Sequence, residues 1–206
     1  ISFIKPRETL DRPSAALAVE LRRRLTDAIQ SRAQGIHHFG SLLSGGLDSS
    51  AIAAIARPYA SQMDTFAAGL EGAPDLIHAR EAAWHLKTRH HERMVTFEEM
   101  LRVLPDVIYH LESFDALLVR SSIMHFLAAQ AAADHVPAVF SGEGGDELFA
   151  GYAYLKNIPL SSLQEELVDI TNRLHNTALQ RVDRCSSACG SWAPSSSSMP
   201  TSFTSS

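Results

Sequence analysis

The chain has 206 residues, 45% of them hydrophobic and 20% charged, with a formal net charge of -5. That supplies one good apolar core but no basic face of the kind nucleic-acid phosphates require. Two cysteines, Cys185 and Cys189, are too few for a disulfide framework and wrongly spaced for zinc, so they read as ordinary thiols.

Neither a charged-then-apolar leader nor an uninterrupted apolar run of about 18 residues is visible. The expectation is a soluble, cytoplasmic protein with no membrane partner. The chain begins with Ile1 rather than methionine, as a piece of a longer protein would.

Residues 1–13, with Pro6 and Pro13, read as a linker leading into a domain. Leu17, Leu21, Leu25 and Ile29 then recur every four residues between charged positions, predicting an amphipathic helix with Ser14 as N-cap. Gly35 ends it. The apolar run 36–43 predicts a buried strand, and an alanine-rich helix follows to about Ala56. Residues 63–69 predict a strand, 75–87 a helix and 92–96 a strand. Helices over 97–110 and 119–133 precede a last strand at 136–140. Strands alternating with helices of this length predict an α/β fold, a parallel doubly wound sheet with helices on both faces. In such sheets ligands bind beyond the carboxyl ends of the strands.

Two loops fall at strand ends. In the first, Ser44-Gly45-Gly46-Leu47-Asp48-Ser49-Ser50, the glycines permit a tight turn and the helix start that follows favours an anion. The serine hydroxyls add donors. Asp48 would repel a phosphate unless a cation intervened, and Mg²⁺ typically bridges one or two carboxylates to substrate phosphates. No Gly-Lys-Ser/Thr is present. The motif resembles the PP-loop of the N-type ATP pyrophosphatases, which cleave ATP between the α and β phosphates.

In the second loop, Ser141-Gly142-Glu143-Gly144-Gly145-Asp146-Glu147, three acids crowd among three glycines, again calling for a cation. With Leu148 to Tyr152 it resembles the second signature of the asparagine synthase family, Ser-Gly-Glu-Gly-Ser-Asp-Glu before an apolar residue and Gly-Gly-Tyr. Blocks at 66–76, 90–92, 107–115 and 119–122 resemble the family's intervening segments, and the resemblance spans 17–183. It implies an ATP pyrophosphatase domain over 14–184 that is truncated C-terminally.

The resemblance implies roles for individual residues. Leu43 and Ala68 would line the adenine or ribose by main-chain and apolar contacts, and Ser44, Gly45, Gly46, Ser49 and Ser50 would cradle pyrophosphate. Ser141 and Gly142 would touch the nucleotide. Asp48 and Asp146 would hold Mg²⁺, Glu143 would serve adenylate formation and amine attack, and Arg120 would meet substrate or phosphate charge. The implied chemistry joins a carboxylate, aspartate in the best-known members, to AMP with release of pyrophosphate; ammonia then displaces AMP. ATP and Mg²⁺ are the implied cofactors, ammonia would come from a glutaminase domain that this chain lacks, and a homodimer is the implied assembly. β-Lactam synthetases share both loops, and ligases making NAD, GMP or argininosuccinate share only the first. A nucleotide-binding fragment without turnover is the non-enzymatic alternative.

After Arg184 no charged residue occurs, and eight of the last sixteen residues are serine. Residues 185–206 therefore read as an unstructured tail or as the product of a reading-frame shift near Cys189.

Overall fold

The structure, a computed structural model, describes residues 12–190. In chain order the elements are α1 (Ser14–Ala33), β1 (Gly40–Leu42), α2 (Leu47–Ala56), β2 (Asp64–Gly69), α3 (Pro74–Leu86), β3 (Arg89–Met94), α4 (Phe97–Leu111), α5 (Ala116–Ala133), β4 (Val139–Phe140), α6 (Gly145–Phe149), α7 (Leu160–Arg173) and α8 (Ala178–Ala188). Three short 3₁₀ turns lie between them.

All four strands run parallel in the order β3-β2-β1-β4. Successive strand residues point to opposite faces, and the core divides accordingly. Leu43, Ala67 and Phe140 pack with Ile29 and Ala33 of α1, Ile52, Ala53 and Ala56 of α2, and Ala79 and Ala83 of α3. Leu42, Phe66 and Val139 face the other way, against Ala128 and Ala132 of α5. Beyond them Val103, Val107, Ile123, Leu127 and Cys185 join α4, α5 and α8. The expected doubly wound sheet, covered on both faces, is the fold observed.

Several boundaries move, each for a local reason. Pro13 occupies the N-cap of α1 and Ser14 is its first helical residue. Gly35 turns left-handed at φ 79°, His37 and His38 stay exposed, and β1 starts only at Gly40 rather than at 36. β4 is likewise shorter than 136–140: the Val136 N–H donates to Ala132 O, 2.9 Å, closing α5, and Pro137 has no N–H to offer the sheet. β3 starts earlier, at Arg89. Its sequence Arg-His-His-Glu-Arg-Met hides the strand from a hydrophobicity scan, yet suits an edge that must not pair with another chain.

By length and mean hydropathy, 1.3 over Ala116–Ala133, α5 could cross a bilayer. Its Val119, Ile123, Phe126, Leu127 and Ala129 are instead buried against α4, α8 and β2. The tail reading is corrected at its start. α8 continues to Ala188, past the expected end of order at Arg184, and buries Cys185 and Ser186. Both thiols are free, and burial pushes them up, Cys185 to about 12 and Cys189 to about 11. The rest of the expected tail, 191–206, and most of the expected linker, 1–11, lie outside the described residues.

Candidate active site

Chain order and strand order diverge at one place. From β1 the chain moves outward to β2 and β3, then returns to put β4 on the opposite side of β1. Connections leaving β1 and β4 therefore part to opposite faces, which opens a crevice at their carboxyl ends. Both glycine-rich loops emerge there. Their contact is intimate: a Cβ on Gly142 would lie 2.7 Å from Ser49 N and 2.9 Å from Asp48 C, and one on Gly145 would fall on the Asp48 carboxylate.

The first loop is closed by its own hydroxyls. Ser44 Oγ and Ser49 Oγ are 3.0 Å apart, Gly46 N donates to Ser44 Oγ (3.3 Å), and Ser49 Oγ accepts from Ser44 N (3.2 Å). Gly45 takes a positive φ of 77° and presses on the α3 backbone at His78 and Ala79. Gly46, at φ -67°, needs no such freedom. It is the N-cap of α2, and no side chain caps that end. The free N–H groups of the first turn thus face the crevice mouth, where an anion is stabilised. Ser50 Oγ is buried without a partner.

Across the crevice, Asp48 is pushed up from the ordinary carboxylate value by burial, then by Asp146 and Glu147. Among the described residues neither Asp48 nor Asp146 has a cationic side-chain partner, and no group of three or more His, Cys, Asp or Glu is placed to hold a metal alone. Two uncompensated carboxylates fit a Mg²⁺ that takes its other ligands from phosphate and water. Glu147 is 6% exposed and accepts from Tyr152 OH at 2.7 Å, while burial and that bond raise the phenol.

Glu143 is held on another side. Its Oε2 accepts from Arg181 Nη2 at 2.5 Å, and Arg181 Nη1 donates to Ser121 Oγ at 2.7 Å. Burial raises the Glu143 carboxyl and outweighs the pull of the guanidinium. Arg181 had no motif to announce it. Arg120, the arginine expected here, is exposed and pairs with no carboxylate among the described residues.

The other expected residues sort by geometry. Ser44, Gly45, Gly46, Asp48, Ser49 and Ser50 come together with Ser141, Gly142, Glu143 and Asp146 at the two strand ends. Leu43 is corrected. Its side chain, 2% exposed, belongs to the core under α1–α3, and its N–H donates to Phe66 O, leaving only the carbonyl for a nucleotide. Ala68, half-buried in β2, packs toward the opposite helical layer.

At the end of α6, Ala150 is forced to φ 58°, a left-handed conformation that strains any residue with a Cβ. Ala150→Gly is expected to stabilise the chain by about 0.5–1 kcal/mol, the relieved strain less the added backbone entropy. A urea midpoint that falls instead of rising would contradict this.

The fold is that of a doubly wound α/β domain with a crevice at the switch point of its parallel sheet. The asparagine synthase family model matches residues 20–200, and the chain belongs to that family. Asparagine synthetase B [glutamine-hydrolyzing] of Escherichia coli (strain K12) is 40% identical over 187 residues, which is 83% of this chain and 34% of that protein. A probable asparagine synthetase [glutamine-hydrolyzing] of Dictyostelium discoideum is 36% identical, with 92% of this chain and 38% of that protein covered. The chain thus spans about a third of the length of these curated relatives. Among solved structures, an NH3-dependent NAD synthetase from Campylobacter jejuni overlaps at 17% identity and a TM-score of 0.45, covering 66% of this chain and 60% of that one.

Proposed function

We propose that this domain activates a carboxylate, aspartate, at the expense of Mg²⁺-ATP and passes the acyl group to ammonia, forming asparagine. The observation that carries the reading is the packing of the first loop against the second at the sheet's switch point, which brings the Asp48 carboxylate against Gly145 and under the negative charge of Asp146 and Glu147. The family membership and the names of its relatives support the choice of substrate.

In the first step a substrate carboxylate oxygen attacks the α-phosphorus, and the bond from that phosphorus to the bridging oxygen breaks, releasing pyrophosphate. Backbone N–H groups at the start of α2 and the Ser44 and Ser49 hydroxyls would orient the leaving phosphates. Mg²⁺, when bound, would neutralise phosphate charge beside Asp48 and Asp146. In the second step the ammonia nitrogen attacks the acyl carbon, AMP leaves with the bonding electrons, and Glu143 accepts a proton from the nitrogen. Ammonia supply from a glutaminase unit, a homodimeric assembly and a cytoplasmic setting belong to the same proposal. β-Lactam formation is the competing outcome, and the acceptor tells the two apart.

The test is calorimetric titration of ATP with and without Mg²⁺ on wild type and Asp48→Ala. Affinity in Mg²⁺ is expected to fall about 100-fold, equivalent to ~2.7 kcal/mol. Thermal stability should hold, because the substitution removes a carboxylate repelled by its neighbours. Equal Mg²⁺-dependent affinity in the two proteins would sink the metal assignment. Aspartate-dependent pyrophosphate release by the wild type would then identify the acceptor.

A further inference from the structure

We infer that Arg181 is the positioning residue for Glu143: it grips the carboxylate with one guanidinium nitrogen, anchors the other on Ser121, and so aims Glu143 into the crevice between the two loops. The inference rests on the proposed role of Glu143.

The Glu143 N–H donates to Ser141 Oγ at 3.4 Å, which holds the backbone but not the carboxylate. Glu143 sits between Gly142, wedged against the start of α2, and Gly144, left-handed at φ 96°. A glycine on either side permits many directions for the intervening side chain. Arg181 reaches the carboxylate from α8, thirty-eight residues along the chain. Arg181 and Glu143 are only 17% and 27% exposed, so the pair is shielded from water and its attraction is not lost to screening.

Arg181 is itself fixed from two sides. Its Nη1 donates to Ser121 Oγ, and α8 packs along α5 and α4 through Val182 and Cys185. His125, one helical turn beyond Ser121, is half-buried with its Nε2 shielded from solvent; burial and the nearby guanidinium push its imidazole down to about 3. It therefore stays neutral and adds no competing charge. Arg181 forms no ion pair among the described residues except with Glu143. A planar fork serves this geometry, since two of its nitrogens point to partners on different elements at once. A lysine has the charge but not the fork.

A mere ion pair pinning α8 to the sheet would make different predictions. It would matter for folding and leave the chemical step alone in any variant that folds. The experiment compares wild type, Arg181→Met, Arg181→Lys and Ser121→Ala in the full chain. ATP–pyrophosphate exchange with aspartate reports adenylation, and single-turnover transfer to ammonium reports the second step. Arginine side-chain ¹⁵N spectra report the grip without requiring turnover.

In Arg181→Met, ATP affinity should stay within about twofold while transfer to ammonium falls by about 100-fold at saturating ammonium, within the range of a misplaced general base. Arg181→Lys should recover to within about tenfold of wild type, and Ser121→Ala should lose about threefold to tenfold. Slowly exchanging Arg181 Nη protons in wild type should disappear in Glu143→Gln and Ser121→Ala.

Unchanged transfer in a folded Arg181→Met, or ATP binding and transfer falling together with its melting transition while Ser121→Ala behaves as wild type, overturns the inference. Absence of wild-type ATP binding and exchange refutes the functional reading instead. The Nη protons then decide the geometry alone: present and Glu143-dependent, the grip stands; absent from a folded chain, it falls.

Discussion

Asp64→Ala is expected to lower the free energy of unfolding by about 2–4 kcal/mol at pH 7, the range for breaking a buried charge cluster whose cations can partly reach water. Asp64 is 0% exposed at the start of β2, at the opposite end of the sheet from the crevice. Its Oδ1 accepts from Arg89 Nε (2.5 Å) and His91 Nε2 (2.6 Å), and its Oδ2 from Arg89 Nη2 (3.0 Å) and His38 Nε2 (3.2 Å). His91 in turn stacks on Phe66 and on His135. Burial alone would raise the carboxyl, but these donors outweigh it and bring it from 3.8 to about 2. A depressed carboxyl contributes stability above its unfolded value and loses it as pH falls toward the folded one. The contribution of about 2 kcal/mol should be complete above about pH 5 and should fade between pH 4 and pH 2. Urea unfolding of both proteins at pH 7 and pH 2.5 measures it. A stability gap that stays constant between those pH values would refute the account.

Gly142→Ala should disable the crevice more thoroughly than any substitution of a ligand-facing hydroxyl. The added methyl would meet the backbone of Ser49 and Asp48, which the first turn of α2 holds rigidly. Overpacking of this kind costs about 1–3 kcal/mol. The relief available is separation of the two loops, which pulls Asp48 away from Asp146. We expect a melting temperature lower by several degrees and loss of Mg²⁺-dependent ATP binding. Gly46→Ala is the informative contrast. At φ -67° its Cβ would meet nothing closer than Ser44 Oγ at 3.4 Å, so stability should hold. Equal destabilisation by both alanines would mean that general glycine loss, rather than contact between the loops, governs the effect.

The sequence made some parts of this molecule legible and hid others in an orderly way. Buried strands such as β2 announced themselves through apolar runs between turn residues. β3 showed only its second half, 92–94, because its first half carries the charge of an edge strand. The serine-glycine loop before α2 was readable because consecutive residues make the turn, the cap and the anion site together. Arg181 was not, because its meaning depends on a carboxylate in another loop and a hydroxyl on another helix. Arg120, one residue before that hydroxyl, is the arginine that the family resemblance implies, and it is exposed. Leu43, which the resemblance implies at the adenine or ribose, turns its side chain into the core just past β1 and can offer a nucleotide only its main chain.

By itself the sequence determined the α/β class, both strand-end loops and the identity of the acids they carry, since turn geometry and helix starts depend on residues close in the chain. Only the tertiary structure decided that β4 returns to the far side of β1, that Asp48 consequently comes under the charge of Asp146, that Arg181 holds Glu143, and that Asp64 gathers Arg89, His38 and His91 at the opposite pole. Those interactions join residues from about 25 to almost 100 positions apart, from the Asp64–Arg89 ion pair to the repulsion between Asp48 and Asp146. Strand order and helix packing set them, and no local spacing encodes either.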